Sequence, residues 1–189
     1  DWVVVFMTGG VAEPEVDNHL QISRSTNRGR TWSDPEVVYR HPEKAAMFSE
    51  MIVHEGVITL FISTHSGMFM DWENFTIVSR DNGHNWSEPI RFAPYPGRTW
   101  IRNLYRTTWG DWILPVQNYG YKEGASEIYF NGVRDYCENG VLKSSDEGKT
   151  WEKSNLVGPT AGFAENNVVE LSDGRLVMLI RADGTGYLK

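Results

Sequence analysis

The sequence predicts an all-β chain built from short strands and many turns. Three observations carry that reading. The 189 residues include 8 Trp, 8 Tyr and 8 Phe, side chains that suit a pleated, half-buried surface. They include 18 Gly, the residue that tight turns accept most readily. Finally, short apolar stretches bounded by turn residues recur throughout, while long apolar stripes with a 3.6-residue period are absent. The length is enough for one domain with a real core.

One eight-residue pattern occurs three times: Ser25-Thr26-Asn27-Arg28-Gly29-Arg30-Thr31-Trp32, Ser79-Arg80-Asp81-Asn82-Gly83-His84-Asn85-Trp86 and Ser144-Ser145-Asp146-Glu147-Gly148-Lys149-Thr150-Trp151. The common form is Ser-x-(Asp/Asn)-x-Gly-x-(Thr/Asn)-Trp, and the copies start 54 and then 65 positions apart. A recurring unit of this size is the mark of a repeat architecture. The Asp or Asn can bond back to nearby backbone N–H groups and hold a tight turn. The Gly permits a left-handed conformation, and the Trp is expected to tuck under the turn as an apolar plug. The motif is structural, and no catalysis is assigned to it.

Strands are expected around each copy. Trp2 to Thr8 and His19 to Ser23 precede the first, and Pro35 to Tyr39 follows it. Ser49 to His54, Val57 to Ser63 and Asn74 to Ser79 precede the second, with Pro89 to Phe92 after. Trp100 to Thr108, Trp112 to Gln117 and Gly140 to Ser144 precede the third, with Glu152 to Leu156 after. Four short strands per full unit is the make-up of a propeller blade. Residues 1–189 then hold the end of one blade, two full blades and the start of a fourth, with no linker or low-complexity tract between them.

The stretch from Glu165 to Arg181 reads as a β-hairpin. Val168 to Leu171 is one strand, Ser172-Asp173-Gly174 the turn, and Arg175 to Arg181 the return strand. The return strand is mostly apolar, which suggests burial on both faces. An antiparallel hairpin brings its open ends together, so Glu165 and Arg181 are expected to be neighbours in space. Hairpin geometry alone favours a solvated surface ion pair there, and it is the rest of the chain that changes the weighting.

The formal charge of −7 argues against a general nucleic-acid surface. No apolar run approaches the ~18 residues of a membrane span. Cys137 stands alone, so an intrachain disulfide is excluded and the redox compartment stays undecided. No His, Cys and carboxylate cluster has zinc spacing, and no phosphate loop or dinucleotide fingerprint is present, so no cofactor is expected. The first residues begin inside a strand pattern and the last enter a new one, which reads as a fragment of a longer chain.

The repeated element resembles the Asp-box, also called the bacterial neuraminidase repeat. With the Glu165–Arg181 hairpin, it makes nearly the whole chain resemble the sialidase superfamily. That resemblance implies a six-bladed β-propeller, of which this chain is about half. In sialidases a Glu precedes a strand of the form Val-Glu-Leu-x-Asp-Gly-Arg-Leu, and an Arg closes the hairpin. Glu165 and Arg181 match those positions. By resemblance Glu165 is the base for a Tyr nucleophile, and Arg181 belongs to a triad that grips the substrate carboxylate. The first and third Arg and the Tyr would lie outside this chain. The implied activity is that of an exo-α-sialidase, a retaining glycoside hydrolase acting on a carbohydrate. The usual setting of such enzymes is secreted or periplasmic. Related propellers act on other acidic sugars as glycosidases or lyases, and others bind glycans or proteins without catalysis.

Family members place an acid/base Asp on a loop ahead of the first box. Here that loop is Gly9-Gly10-Val11-Ala12-Glu13-Pro14-Glu15-Val16-Asp17-Asn18, where Glu13, Glu15 and Asp17 compete. Glu13 is the choice, because a Gly-Gly-x-x-Glu loop recurs in bacterial sialidase-like proteins; a solvated acidic loop is the alternative. Glu50 stands where a site Asp is common, at the start of an inner strand, and equally fits a strand-end cap. Arg102 and Asn103 occupy the matching point of the next blade. His65, Gln117 and Tyr119 follow the second strands of their blades and are candidates for the rim. Phe69, Trp72 and Trp100 are candidate sugar platforms, although buried packing is the commoner role for such side chains.

Overall fold

A computed structural model of the chain describes residues 1–11, 15–66, 70–119, 136–161 and 165–181. Glu13, Phe69 and the strand expected after Gly184 lie outside these residues. Every regular element among the described residues is a strand, and every pairing is antiparallel. The chain divides into two compact units, Asp1–Ala93 and Pro94–Lys189.

In the first unit, β1 (Trp2–Thr8), β2 (His19–Ser25) and β3 (Glu36–Tyr39) form one sheet in that order. A second sheet runs β4 (Ala45–His54), β5 (Val57–His65), β6 (Glu73–Ser79) and β7 (Ile90–Arg91). Period-two alternation sets Leu20 and Ile22 on one face of β2, and Ile58, Leu60 and Ile62 on one face of β5. These five join Val5 and Ile77 in a single buried cluster between the two sheets. Each fully buried aliphatic side chain there contributes roughly 1.5–3 kcal/mol. β4 begins four residues earlier than its sequence suggests, so Glu50 sits mid-strand. Phe48 pairs with Ile62 and Glu50 with Phe61, leaving Ser49 as the extra residue of a bulge.

In the second unit, β8 (Arg98–Ile101), β9 (Tyr105–Arg106), β10 (Trp112–Tyr119), β11 (Tyr136–Ser144), β12 (Glu152–Lys153) and β13 (Val157–Ala161) share one sheet. β10 is central and buried along its whole length. The single strand expected from Trp100 to Thr108 is in fact two, β8 and β9, both paired with β10. Pro115 explains the break. Its carbonyl accepts the Arg102 N–H at 2.8 Å, so its own ring nitrogen faces the same neighbour and has no hydrogen to offer. Arg102 stands at that break.

The hairpin is β14 (Asn166–Glu170) and β15 (Leu176–Ile180), in register from Asn166↔Ile180 to Glu170↔Leu176. Its turn is as expected: Gly174 has φ 83° and its N–H donates to the Leu171 carbonyl at 2.9 Å. The expected burial of the return strand on both faces is not found. Leu179 is 69% exposed, and only β14 alternates buried with exposed residues. The two strands form a sheet of their own, and no further strand pairs with β15 among the described residues.

The three boxes fold alike. In each, the Ser Oγ accepts the Gly N–H four residues on at 2.8 Å. The Asn27, Asp81 and Asp146 side chains accept the N–H of Thr31, Asn85 and Thr150 at 2.9, 2.9 and 2.8 Å. Arg28, Asn82 and Glu147 take φ near 60° just before glycines at φ 79–83°. Only the glycine adopts that conformation without steric cost. The box tryptophans are a correction to expectation. Trp32 is 43% exposed, and Trp86 and Trp151 are half-buried. Each indole lays its edge against the glycine of its own turn, 3.3–3.6 Å from where a Cβ would stand. That contact covers one edge of each indole, and Trp86 packs in addition against the buried cluster of the first unit.

Candidate functional site

β14 and β15 carry Glu165 and Arg181 at their open end, one residue outside the strands on each side. The Arg181 N–H donates to the Glu165 carbonyl at 2.7 Å, and Arg181 Nη1 donates to Glu165 Oε2, also at 2.7 Å. The expectation that the hairpin brings them together is met. The break opposite Pro115 places Arg102 nearby, with its Nη2 3.7 Å from Glu165 Oε1. Arg102 is aimed from behind: its Nε donates to Gln117 Oε1, and Gln117 Nε2 donates to the Tyr119 hydroxyl at 3.0 Å. Gln117 and Tyr119 are both buried. They lie within β10 instead of following it, because that strand runs two residues further than its apolar pattern.

One carboxylate therefore lies between two guanidiniums, each oxygen turned to a different one. The Glu165 and Arg181 side chains are 45% and 55% exposed, so their ion pair adds at most about 1 kcal/mol to stability. What the arrangement supplies is chemistry. Two guanidiniums beside one carboxylate leave a local positive excess, and planar N–H forks match the geometry of an anionic ligand's carboxylate. The carboxylate itself is an acceptor for a proton from a neighbouring hydroxyl.

Other sequence candidates fall elsewhere. Asn103 is exposed in the gap between β8 and β9. Glu50 belongs to the first unit, half-buried at the β4 bulge, where its Oε1 accepts the Met51 N–H at 2.7 Å. It is not a strand-end cap. Glu15 Oε2 accepts the Val11 N–H at 2.9 Å, which ties that carboxylate into its own loop. His65 ends β5 fully buried, its ring stacked on Trp72 at 5.9 Å and 5°. Burial, and then the charge of Lys44, lower the His65 pKa to about 4. Trp72 is itself buried and donates to Asn74 Oδ1 at 3.0 Å, so it is packing and not a platform. Trp100 packs beside Tyr119 and Cys137.

Sequence reasoning passed over Asn166 and Asn139. Asn166 Nδ2 donates to the Val116 carbonyl and to Asn139 Oδ1, both at 2.7 Å. The available signal was a polar residue at an inward position of β14, in step with buried Val168. At the other end of the same strand, the Thr108 N–H donates to Glu170 Oε2 at 2.8 Å.

Antiparallel sheets of two to six strands, three box turns and a carboxylate held between two arginines define a class: an all-β repeat protein. The BNR repeat-like domain family matches residues 2–188, and the chain belongs to that family. In sequence the chain is similar to a sialidase of Paraclostridium sordellii, 26% identical over 206 residues, covering 93% of this chain and 48% of the relative. It thus spans about half the length of the curated relative it matches. In structure it is similar to a protein of unknown function from Dyadobacter fermentans, with TM-score 0.71 and 18% identity over 97% of this chain and 59% of the other. It is also similar to the Trypanosoma rangeli sialidase in complex with a difluorinated nononic acid, with TM-score 0.63 and 16% identity over 96% of this chain and 32% of the other. These likenesses place the chain in the sialidase superfamily, with part of the sialidase-type propeller fold.

Proposed function

We propose that this chain supplies the base and part of the carboxylate clamp of an exo-acting sialidase. The observation that carries the reading is the Glu165 carboxylate between Arg181 and Arg102. Sialic acid bears a carboxylate on its anomeric carbon. A carboxylate nucleophile would be repelled there, whereas a neutral tyrosine deprotonated by a glutamate would not. Glu165 is then the base for a tyrosine outside these 189 residues. Arg181 grips the substrate carboxylate with Arg102, which Gln117 orients. Asn103, next to Arg102, contacts another part of the sugar. The expected setting is secreted or periplasmic.

The test is release of a fluorogenic leaving group from a sialic acid glycoside by the complete protein, beside its Glu165→Gln variant. Loss of general-base catalysis predicts a fall in kcat of about 10²–10⁴-fold. Full turnover by the variant contradicts the role of Glu165. No turnover by the folded wild type contradicts sialic acid as substrate and redirects the search to another acidic sugar.

A further inference from the structure

We propose that Asn166 is a positioning residue that fixes the distance between Glu165 and Arg102; this rests on the reading of Glu165 as the base. The hairpin meets its neighbouring sheet through three inward residues of β14. Val168 contributes an apolar contact, which is non-directional and sets no position along the strand. Glu170 anchors the turn end through Thr108. Asn166 anchors the functional end, and it does so with two directional bonds from one amide nitrogen, at 2.7 Å to β10 and 2.7 Å to β11. Two such bonds to different strands fix both the separation and the rotation of the amide.

The consequence runs through covalent neighbours. Glu165 is one peptide from Asn166, and its carbonyl in turn receives the Arg181 N–H. On the sheet side, the carbonyl that Asn166 grips belongs to Val116, and the next residue is Gln117, which holds Arg102. A single side chain therefore joins the segment bearing Glu165 and Arg181 to the strand that aims Arg102. Asn166 is only 7% exposed, and its Oδ1 is buried without a hydrogen bond from any described residue. A buried acceptor left unsatisfied is a stability cost. An amide kept there at that cost fits a positional role better than a packing one.

The test uses the complete protein with Asn166→Ala, the milder Asn166→Ser, and Glu170→Gln as the control that loosens the opposite end of the same strand. Misplacing Glu165 is expected to lower kcat about 10- to 100-fold in Asn166→Ala, while Glu170→Gln keeps the wild-type kcat. Exchange of the Arg181 amide hydrogen needs no substrate. It is expected to accelerate about tenfold or more in the Asn166 variants and not in Glu170→Gln. Equal effects of Asn166 and Glu170 substitutions on kcat and on exchange overturn the proposal. A wild type inert toward sialosides removes the sialidase reading, and the exchange comparison then decides the role of Asn166 alone. If Asn166→Ala does not fold, the same two readings in Asn166→Ser decide it.

Discussion

The box turns and the Glu165 cluster solve the same problem, holding polar side chains in place, by opposite means. In the boxes every defining bond spans two or four residues. In the cluster the bonds span 15 residues from Arg102 to Gln117, 16 from Glu165 to Arg181, 27 from Asn139 to Asn166 and 50 from Val116 to Asn166. The first kind forms wherever its eight residues occur, which is why it can be repeated. The second exists only after the sheets have assembled. Local bonds make a modular turn; long-range bonds make a single site whose geometry depends on the fold around it.

The largest effect expected on stability comes from a buried group at the end of β5. His65 is kept neutral, with its pKa lowered from 6.5 to about 4. Below pH 6.5 the unfolded chain takes up a proton that the folded chain refuses, so stability falls as pH drops and levels off near pH 4. The full loss is about 3 kcal/mol. Denaturant melts between pH 7 and pH 4 should show this slope, and His65→Gln should flatten it. A slope of equal size in the variant would place the titration elsewhere.

Next in size is the clamp. Arg181→Lys keeps the charge and loses the fork, so kcat/KM for an acidic sugar glycoside should fall about 10- to 100-fold with the melting temperature little changed. A lysine that serves equally well would mean that Arg181 acts only as a point charge.

The smallest effect belongs to the boxes and separates one copy from the other two. Bonds from Asn85, in side chain and backbone, hold the Asp81 carboxyl at about 2, and the corresponding bonds from Thr150 do the same for Asp146. Their contribution is complete above the ordinary carboxylate range and fades as pH falls from about 4 through about 2. Asn27 makes the equivalent bonds with a group that does not titrate. Asp81→Asn and Asp146→Asn should therefore lessen acid unfolding in this window, whereas the box at Asn27 has nothing to lose. Unchanged acid midpoints in both variants would show that the box carboxylates are not linked to folding.

The same division explains what could be read from the residues in order. Box turns, the hairpin turn at Gly174 and the ends of β1 were legible because each is encoded within a few positions. The pairing of Glu165 with Arg181 was legible too, since a hairpin turns a sequence spacing into a spatial one. Arg102 was singled out from its place in the blade, but its reason for standing near Glu165 is Pro115, on another strand. Asn166 was invisible as a functional residue because both of its partners are remote in sequence. The tryptophans misled for a related reason: the motif specifies that the indole meets its own glycine, and says nothing of what covers the far edge.

The most direct test of this division is to measure turnover and melting together, in the complete protein, for Glu165→Gln and Asp146→Ala. Glu165→Gln is expected to lower turnover about 10²–10⁴-fold at an unchanged melting temperature. Asp146→Ala, which removes bonds to Ser144 and Thr150, is expected to lower the melting temperature and to leave turnover per folded molecule intact. If turnover and melting fall together in both variants, the separation of a modular scaffold from a long-range site is wrong.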